Sequence, residues 1–232
     1  THSILTNDPY PTFIVRNHEG AATNATFGPF GSKYLVGEIL DIVNRQFLIR
    51  SCTDPHPFRK SLNYGLGLCA GPCRGQISVE EYSPLISRAV DFLSGDQDWI
   101  VTKLRREMME LAEEHDYEQA LAMKAQLHFC TDFCKGQRFM HDFKMRSLII
   151  EEHMSPRLAY RFLRGSMASI TVGGCQAGEH NTILQDLIKP ENDQRFVLDR
   201  ASVVYGWLQR NATRYDYSFY QSQPPGVHPS DP

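Results

Sequence analysis

The chain has 232 residues, of which 41% are hydrophobic and 22% charged, and its formal net charge is -3. This composition supplies apolar side chains for one large core or two modest ones, which excludes a disordered chain. The longest apolar runs are too short to cross a bilayer, and no signal peptide opens the chain. Six unevenly spaced cysteines are too few for a disulfide scaffold. We therefore expect a soluble globular protein of a reducing compartment.

The first predicted elements are a strand and a helix. The apolar, β-branched run at 12–15 follows the turn sequence NDPYP, which is typical of an edge strand. After the break FGPFGS, apolar residues recur at helical spacing from Lys33 to Phe47, with Ser32 as the expected N-cap. The next segment, from Cys52 to Gly75, is rich in glycine and proline and shows no clear period, so we expect a loop.

Helices are predicted through the middle of the chain. Ser78 and Glu81 have the spacing of a capping box ahead of an apolar stripe that stops at Gly95. From Trp99 to about Phe133, two further stripes flank the joint EEHDY, which predicts an antiparallel helical hairpin. Such a hairpin cannot bury both stripes alone. It must pack on its own protein or offer them to a partner.

The last part of the chain is predicted to be mixed. The segments RSLIIEEH and SITVGG read as strands, and a late helix is expected around 201–210. The proline-rich tail QPPGVHPSDP is expected to be disordered. The predicted fold class is therefore α+β, mostly helical in the middle, with a small mixed α/β part at the C-terminal end.

Three segments, in this order, resemble the middle of the excision-repair nuclease subunit UvrC and its short Cho-type relatives. They are FGPFGSKYLVGEILDIVNRQFLIRSC at 27–52, CAGPCRGQISVEEYSPLISRAVDFLSG at 69–95 and LRREMMELAEEHDYEQALAMKAQL at 104–127. The resemblance covers roughly residues 4–130. It implies the end of a GIY-YIG nuclease domain, then a cysteine-rich region, then the UVR hairpin that docks on UvrB.

The resemblance divides the chain into five predicted parts. They are a remnant or C-terminal part of a GIY-YIG-like domain at 1–50, a cysteine-rich segment with its following helix at 51–97, the UVR hairpin at 98–134, a mixed region at 135–220 and a disordered tail at 221–232. In the family, the catalytic Tyr, Tyr, Arg and Glu lie upstream of the strand matched here. None of them is assigned, and we expect the nuclease centre to be absent from this chain.

The cysteines of the loop are a candidate metal site. Cys52, Cys69 and Cys73 match three positions of a four-cysteine set that, in the family, resembles an iron-sulfur site. The fourth position falls at about Ser61, and His56 is the nearest residue that could complete an iron-sulfur cluster or a Cys3His zinc site. Packing of inert thiols around a Gly-Pro turn is the competing interpretation, and a disulfide is a third.

Basic residues concentrate between positions 44 and 74. This segment contains five lysines and arginines but a single acidic residue. Such a segment suits contact with the DNA backbone without reading of sequence, although an ordinary solvated face has the same composition. The candidate phosphate-binding residues are Arg45, Arg50, Arg59, Lys60 and Arg74.

The hairpin is the candidate partner site. Leu104, Met108, Tyr117 and Leu121 form the apolar ridge expected to dock on a UvrB-like protein. The family usually has an Arg and an Asp where Lys124 and Ala125 stand here. We therefore expect docking to be weak or retargeted, since charge-assisted contacts set partner choice. A hairpin packed only within its own chain remains the alternative.

The resemblance implies a UvrC-like protein of DNA nucleotide excision repair, positioned on DNA and docked to a UvrB-like protein, without membrane contact. A bacterial cytoplasm fits this interpretation, as does an organelle after removal of a transit peptide. The alternative is a non-catalytic interaction or assembly protein built on a degenerate UvrC core. A third interpretation, an iron-sulfur or zinc redox module, rests on the cysteines alone. Enzymatic activity stays open, and residues preceding Thr1 with the nuclease tetrad would favour it.

Overall fold

The structure is a computed structural model that describes residues 2–16, 25–28, 30, 32–52, 62–154, 157–173, 180–182 and 194–221. Contacts divide the chain into two compact units, Thr1–Arg138 and Phe139–Pro232. Each unit combines helix with antiparallel sheet, which confirms the predicted α+β class. Across the described ranges, no helix is both long enough and apolar enough to cross a membrane.

The first unit opens with a small antiparallel sheet. Its strands are β1 (His2–Leu5), β2 (Phe13–Arg16) and β3 (Ala25–Phe27), in the order β2-β1-β3. Strand β2 lies at the edge, as its proline-led sequence predicts. Leu5 pairs with Phe13 across the sheet, and both side chains are buried. The sheet thus contributes one apolar face to the core of the unit.

The other described elements of the first unit are helices: α1 (Lys33–Gln46), α2 (Leu62–Gly65), α3 (Val79–Leu93), α4 (Asp98–Glu113) and most of α5 (Tyr117–Met145), with a short 3-10 turn at Pro72–Arg74. Both predicted N-caps are confirmed. The Ser32 hydroxyl accepts a hydrogen bond from the Leu35 N–H at 3.1 Å. Ser78 and Glu81 exchange the two bonds of a capping box at 3.2 and 2.9 Å. The helices therefore begin where local side chains satisfy their free N–H groups.

One apolar core joins the strands and four of these helices. Its fully buried members include Val36, Ile39, Tyr82, Phe92, Ile100, Leu104, Cys130 and Cys134. They come from the predicted nuclease remnant, the cysteine-rich part and the hairpin alike. These predicted parts consequently pack as one unit around a shared core.

Helix α5 is longer than the sequence predicts. The apolar stripe suggests an end near Phe133, whereas the helix continues to Met145. Its last turns carry Phe139 and Phe143, which are buried in the core of the second unit. The additional length follows from this second apolar face, since burial outweighs the weak helix propensity of single residues such as Gly136.

The second unit is built on a five-stranded antiparallel sheet. Its elements are β4 (Ser147–Glu152), β5 (Arg157–Leu163), β6 (Ser166–Gly173), β7 (His180–Thr182), α6 (Gln194–Arg210) and β8 (Tyr215–Tyr220). The strand order is β7-β6-β5-β4-β8. The predicted strands around 146–153 and 169–174 and the late helix are confirmed, whereas the sequence did not predict β5, β7 and β8. The predicted disordered tail lies almost wholly outside the described residues.

Candidate functional site

The joint of the hairpin is fixed by local hydrogen bonds. His115 adopts a left-handed conformation with φ of +65° and ends the turn that follows α4. The Asp116 carboxylate accepts a hydrogen bond from the Gln119 N–H at 3.1 Å, which caps the start of α5. The Asp116 N–H donates back to the Leu111 carbonyl at 2.9 Å. The two helices are therefore held at a defined turn.

The base of the hairpin is buried in its own unit. Ile100 and Leu104 on α4 are at most 1% exposed, and they pack in the core with Cys130 and Cys134 of α5. Leu104, a predicted docking residue, is therefore a core residue and cannot reach a partner. Sequence periodicity alone cannot separate an apolar stripe that faces its own core from one that faces another protein.

The tip of the hairpin, defined here as Met109, Tyr117 and Leu121, is exposed. Met109 is 55% exposed, and Tyr117 and Leu121 are each 66% exposed. Met108, on the same helix as Met109, is half-buried. The Tyr117 ring meets the His115 ring edge-on at 6.0 Å. Two of the four predicted docking residues thus lie at the surface, and the exposed Met109 was not among the predicted residues.

Cys52, Cys69 and Cys73 lie near enough in the first unit to affect one another's charge, and we call this region the cysteine corner. Cys69 is buried, while Cys52 and Cys73 are half-buried. Burial raises the pKa of the Cys69 thiol, and negative charge on Cys52 or Cys73 raises it further. The Gly71 N–H donates a weak hydrogen bond to the Cys69 sulfur at 3.4 Å. The surroundings of Cys69 therefore favour its neutral thiol.

Glycine shapes the turn between Cys69 and Cys73. Gly71 has φ of +74°, and a Cβ at this position would lie 2.5 Å from the Tyr64 ring. Gly75, with φ of +66°, ends the 3-10 turn. Only glycine combines this conformation with so close an approach. The turn therefore depends on residue identity even without a bound metal.

The four-cysteine set that the resemblance implies is incomplete in this chain. Its fourth position falls at about Ser61. Within the described part of the chain, no group of three or more His, Cys, Asp or Glu side chains is arranged to hold a metal ion. Ser61 and His56 lie outside the described residues. An iron-sulfur or zinc site consequently stays a sequence-based hypothesis.

Arg50 lies beneath the cysteine corner rather than at the surface. It is 1% exposed, and its Nε donates to the Tyr10 carbonyl at 2.6 Å. One terminal nitrogen bonds the Asp8 carboxylate at 2.9 and 3.0 Å, and the other donates to the Cys52 carbonyl. Its backbone N–H donates to the Tyr82 hydroxyl at 3.1 Å. This guanidinium is used inside the protein, so it cannot contact a phosphate as the sequence analysis expected.

The other predicted DNA-binding residues have different surroundings. Arg74 is exposed and stacks over the Tyr64 ring at 5.1 Å. Arg45 is exposed on the last turn of α1. Arg59 and Lys60 lie outside the described residues. Arg45 and Arg74 are therefore the described members of the predicted set that are free to meet a phosphate.

Trp99 organises a cluster that sequence reasoning missed. Its ring stacks on Phe47 at 4.8 Å, and the Arg88 and Lys103 cations lie 5.6 and 5.2 Å from its centre. The Lys103 ammonium also donates to the Gln46 carbonyl at 2.9 Å, at the end of α1. Burial lowers the pKa of Lys103, although Glu107 opposes the shift. The cluster joins α4 to the end of α1. No motif in the sequence predicts it.

The first unit is, in structural class, an α+β domain that presents the exposed tip of a helical hairpin. Residues 2–92 match the family model described as UvrC/Cho excinuclease, middle domain. The UvrABC system protein C of Caldanaerobacter subterraneus subsp. tengcongensis is 35% identical over 129 residues, which is 53% of this chain and 21% of that protein. These findings confirm, over the first half of the chain, the resemblance to the central region of the UvrC family.

Two further relatives extend the comparison. The UvrABC system protein C of Mesorhizobium japonicum is 37% identical over 129 residues, covering 53% of this chain and 19% of that protein. The protein of the same name from Acetivibrio thermocellus is 28% identical over 142 residues, covering 59% of this chain and 23% of its own. The chain thus spans about a fifth of the length of the curated relatives it matches. No solved structure matches it significantly.

Proposed function

We propose that this chain is a UvrC-type module of nucleotide excision repair that docks a UvrB-like protein through the hairpin tip and rests on the DNA backbone. Its own contribution is positioning rather than cleavage. The match of residues 2–92 to a UvrC/Cho middle domain supports the repair context. The relatives that carry this region are named as components of the UvrABC system.

The exposed apolar tip is the observation that carries the proposal. Met109, Tyr117 and Leu121 lie close along the chain to the joint, and each is more than half exposed. Clustered apolar side chains at a surface mark interaction sites more often than single exposed ones do. Because the base of the same helices is buried, the tip is held in a fixed position. A preorganised ridge loses little conformational entropy when a partner helix pair binds.

The aromatic ring of Tyr117 is the expected anchor of this contact. Aromatic residues dominate the energetics of many interfaces because they bury a large area with few rotatable bonds. The neighbouring Asp116 cap fixes the start of α5, and with it the position of Tyr117. Leu121 lies one turn further along the helix and extends the apolar ridge.

DNA contact is proposed for Arg45 and Arg74, together with Arg59 and Lys60 from the sequence analysis. Contacts of this kind neutralise phosphates and release counterions, so binding should weaken steeply with salt and show no sequence preference. Arg50 does not belong to this set, because its charge is paired with Asp8 in the interior.

The decisive experiment measures binding of the full chain to the UvrB protein encoded in the same genome, by calorimetric titration. We expect Tyr117→Ala and Leu121→Ala each to weaken binding about tenfold or more, since both truncate exposed ridge residues. Val203→Ala is the matched control, because Val203 is 70% exposed on α6 of the other unit. Thermal unfolding should be nearly unchanged in all three variants. Equal affinity of the two hairpin variants and the wild type would refute docking through the tip.

A further inference from the structure

Trp99 leaves part of its indole ring at the surface of the first unit. The residue is 38% exposed, whereas Phe47, on which the ring stacks, is 2% exposed. Phe47 is fixed in the core by its contact with Phe92, at 5.8 Å between ring centres. One side of the indole is therefore held against the protein, and the exposed area belongs to the rest of the ring.

Two cations from different helices border the same ring. The Arg88 guanidinium of α3 lies 5.6 Å from the ring centre, and the Lys103 ammonium of α4 lies 5.2 Å from it. An aromatic ring attracts cations in this position through its electron-rich face. The exposed tryptophan consequently lies in positively charged surroundings.

The two cations differ in what else they bind. Lys103 donates to the Gln46 carbonyl at 2.9 Å and lies 3.8 Å from a carboxylate oxygen of Glu107, so its charge is used within the protein. Arg88 is exposed, and among the described residues its side chain contacts the Trp99 ring alone. The N–H donors of Arg88 are therefore available to an anionic ligand.

A nucleotide with an unpaired base combines the two features that this surface can bind. Its flat base stacks on an aromatic side chain, and its phosphate accepts hydrogen bonds from an arginine. The carboxylates of an acidic peptide would match the cations but not the exposed indole. The bases of a duplex are stacked between neighbouring pairs, so their flat faces cannot reach a protein ring. The surroundings of Trp99 thus favour a single strand.

We propose that the Trp99 cluster, defined as Phe47, Arg88, Trp99 and Lys103, binds an unpaired nucleotide of single-stranded DNA, with its base on the indole and its phosphate on Arg88. The inference rests on the DNA contact of the proposed function and extends that contact from the backbone to a base. It does not require docking to a UvrB-like protein. Phe47 and Lys103 hold the ring in place, so little conformational entropy is lost on binding.

The proposal predicts a preference for single strands over duplex. Purely electrostatic contact, as proposed for Arg45 and Arg74, favours the duplex, because its phosphates are more closely spaced along the axis. Stacking on Trp99 is open only to an unpaired base, and it tolerates any sequence because every base has a flat face. Tighter binding of a single strand than of a duplex of equal length would therefore require a stacking surface such as Trp99.

The protein carries its own fluorescent reporter for this site. It contains two tryptophans, so Trp207→Phe leaves Trp99 as the sole indole of the full chain. This variant is titrated with a thymidine oligonucleotide of about twelve nucleotides, a length within the usual range of single-strand sites. Stacking of a base should quench the Trp99 emission in a saturable manner. Trp99→Phe is the matched control, because its remaining indole, Trp207, lies in the second unit and should not be quenched.

Affinity for the same oligonucleotide is measured by fluorescence anisotropy. Trp99→Leu should weaken binding about tenfold, because it removes the stacking surface but keeps an apolar side chain against Phe47. Arg88→Ala should weaken binding and lower the slope of the salt dependence by about 0.7, the value for one phosphate contact on a single strand. Since Arg88 is exposed, its variant keeps the test valid if Trp99→Leu fails to fold.

Arg105→Ala is the matched charge control for Arg88→Ala. Arg105 is exposed on α4 and makes no contact with the Trp99 ring within the described residues. Its variant should stay within about twofold of the wild type. If Trp99→Leu and Arg88→Ala also stay within about twofold, the inference is overturned. Salt-dependent duplex binding would then leave the backbone contact of the proposed function standing.

Three further outcomes decide against the inference. Tighter binding of a duplex than of a single strand would show that stacking contributes little. Tighter binding of an oligouridine of equal length would make RNA the ligand. Loss of UvrB binding in Trp99→Leu, with DNA binding unchanged, would place the ring in a protein interface. If the wild type binds no DNA at all, this inference and the DNA contact of the proposed function fail together, whereas docking through the hairpin tip keeps its own test.

Discussion

The Arg50 guanidinium donates to both oxygens of the Asp8 carboxylate, at 3.0 and 2.9 Å, although 42 residues separate them in the chain. Only 2% of the Arg50 side chain is exposed, against 36% of that of Asp8. The same guanidinium bonds the carbonyls of Tyr10 and Cys52. One buried cation therefore ties the segment before β2 to the first cysteine of the corner.

Removing the negative charge of Asp8 should lower the stability of the protein, because Asp8 is the counter-charge of the buried Arg50. Asp8→Asn keeps an oxygen for the Tyr10 N–H but leaves the buried cation without its counter-charge. We expect the free energy of unfolding to fall by roughly 2 kcal/mol, less than for a fully buried pair because Asp8 is partly exposed. Urea denaturation measures the change. Asp41→Asn, an exposed carboxylate of α1, is the control and should stay within about 0.5 kcal/mol of wild type.

A second prediction concerns the turn of the cysteine corner. Gly71 and Gly67 both have positive φ, +74° and +69°, but a Cβ would clash with Tyr64 only at Gly71. Gly67→Ala should therefore cost about 1 kcal/mol of stability from backbone strain alone. Gly71→Ala should cost clearly more, because the Tyr64 ring must also move. Equal losses in the two variants, measured by urea denaturation, would show that the close approach is unimportant.

Local signals in the sequence predicted part of this architecture well. Ser32 and the Ser78–Glu81 pair are caps whose hydrogen bonds close within a few residues, so the starts of α1 and α3 could be read directly. The tip of the hairpin could be placed because its turn is also local. The sequence did not show whether each apolar stripe packs in the core of its own protein or lies at the surface. Leu104 and Leu121 lie in similar patterns, yet one is buried and the other exposed.

Long-range relationships escaped prediction for a physical reason. The pairing of Arg50 with Asp8 depends on how the segment before β2 lies against α3, where the Tyr82 hydroxyl donates to the Pro11 carbonyl, and no spacing rule connects such distant positions. The end of α5 was misplaced because its last turns pack into a different core from its first turns. A single apolar period does not show where a helix changes the core on which it packs.

The deeply buried thiols predict a loss of stability in alkali. Burial raises the pKa of Cys130 and Cys134 from 9.0 to about 12. Below pH 9 both thiols are neutral in the folded and unfolded chain, so their contribution to stability is fully present. Between pH 9 and 12 only the unfolded chain ionises readily, and that contribution is lost as the pH rises.

Urea midpoints at pH 8 and pH 10 check this prediction. The midpoint should be lower at pH 10, and the Cys130→Ala, Cys134→Ala double variant should show a smaller difference between the two pH values. A part of the effect should persist in that variant, because burial also raises the pKa of Cys69 and of Tyr82. An unchanged difference in the double variant would mean that these thiols do not control the pH dependence.

The 232-residue chain by itself is expected not to cut DNA. The UvrC resemblance assigns none of the family's catalytic Tyr, Tyr, Arg and Glu to a residue of this chain, and the proposed role is positioning. Damaged plasmid incubated with Mg²⁺ or Mn²⁺ should therefore stay supercoiled, with and without UvrB. Robust nicking that follows the pure protein through gel filtration would contradict the positioning role.

Cluster binding at the cysteine corner should depend on position 61. Protein purified without oxygen is expected to lack stoichiometric iron and the broad visible absorbance of an iron-sulfur cluster, because Ser61 interrupts the four-thiolate set. Ser61→Cys should restore the fourth ligand and bring iron and absorbance together, and adding Cys73→Ser to that variant should remove both. Ser51→Cys is the control, since it supplies a nearby thiol at a position outside the family's pattern. Wild-type protein that already holds iron or zinc, and loses it on Cys73→Ser, would contradict this prediction. Cys52, Cys69 and Cys73 would then bind the metal together with another ligand, and His56 is the first candidate to test by substitution.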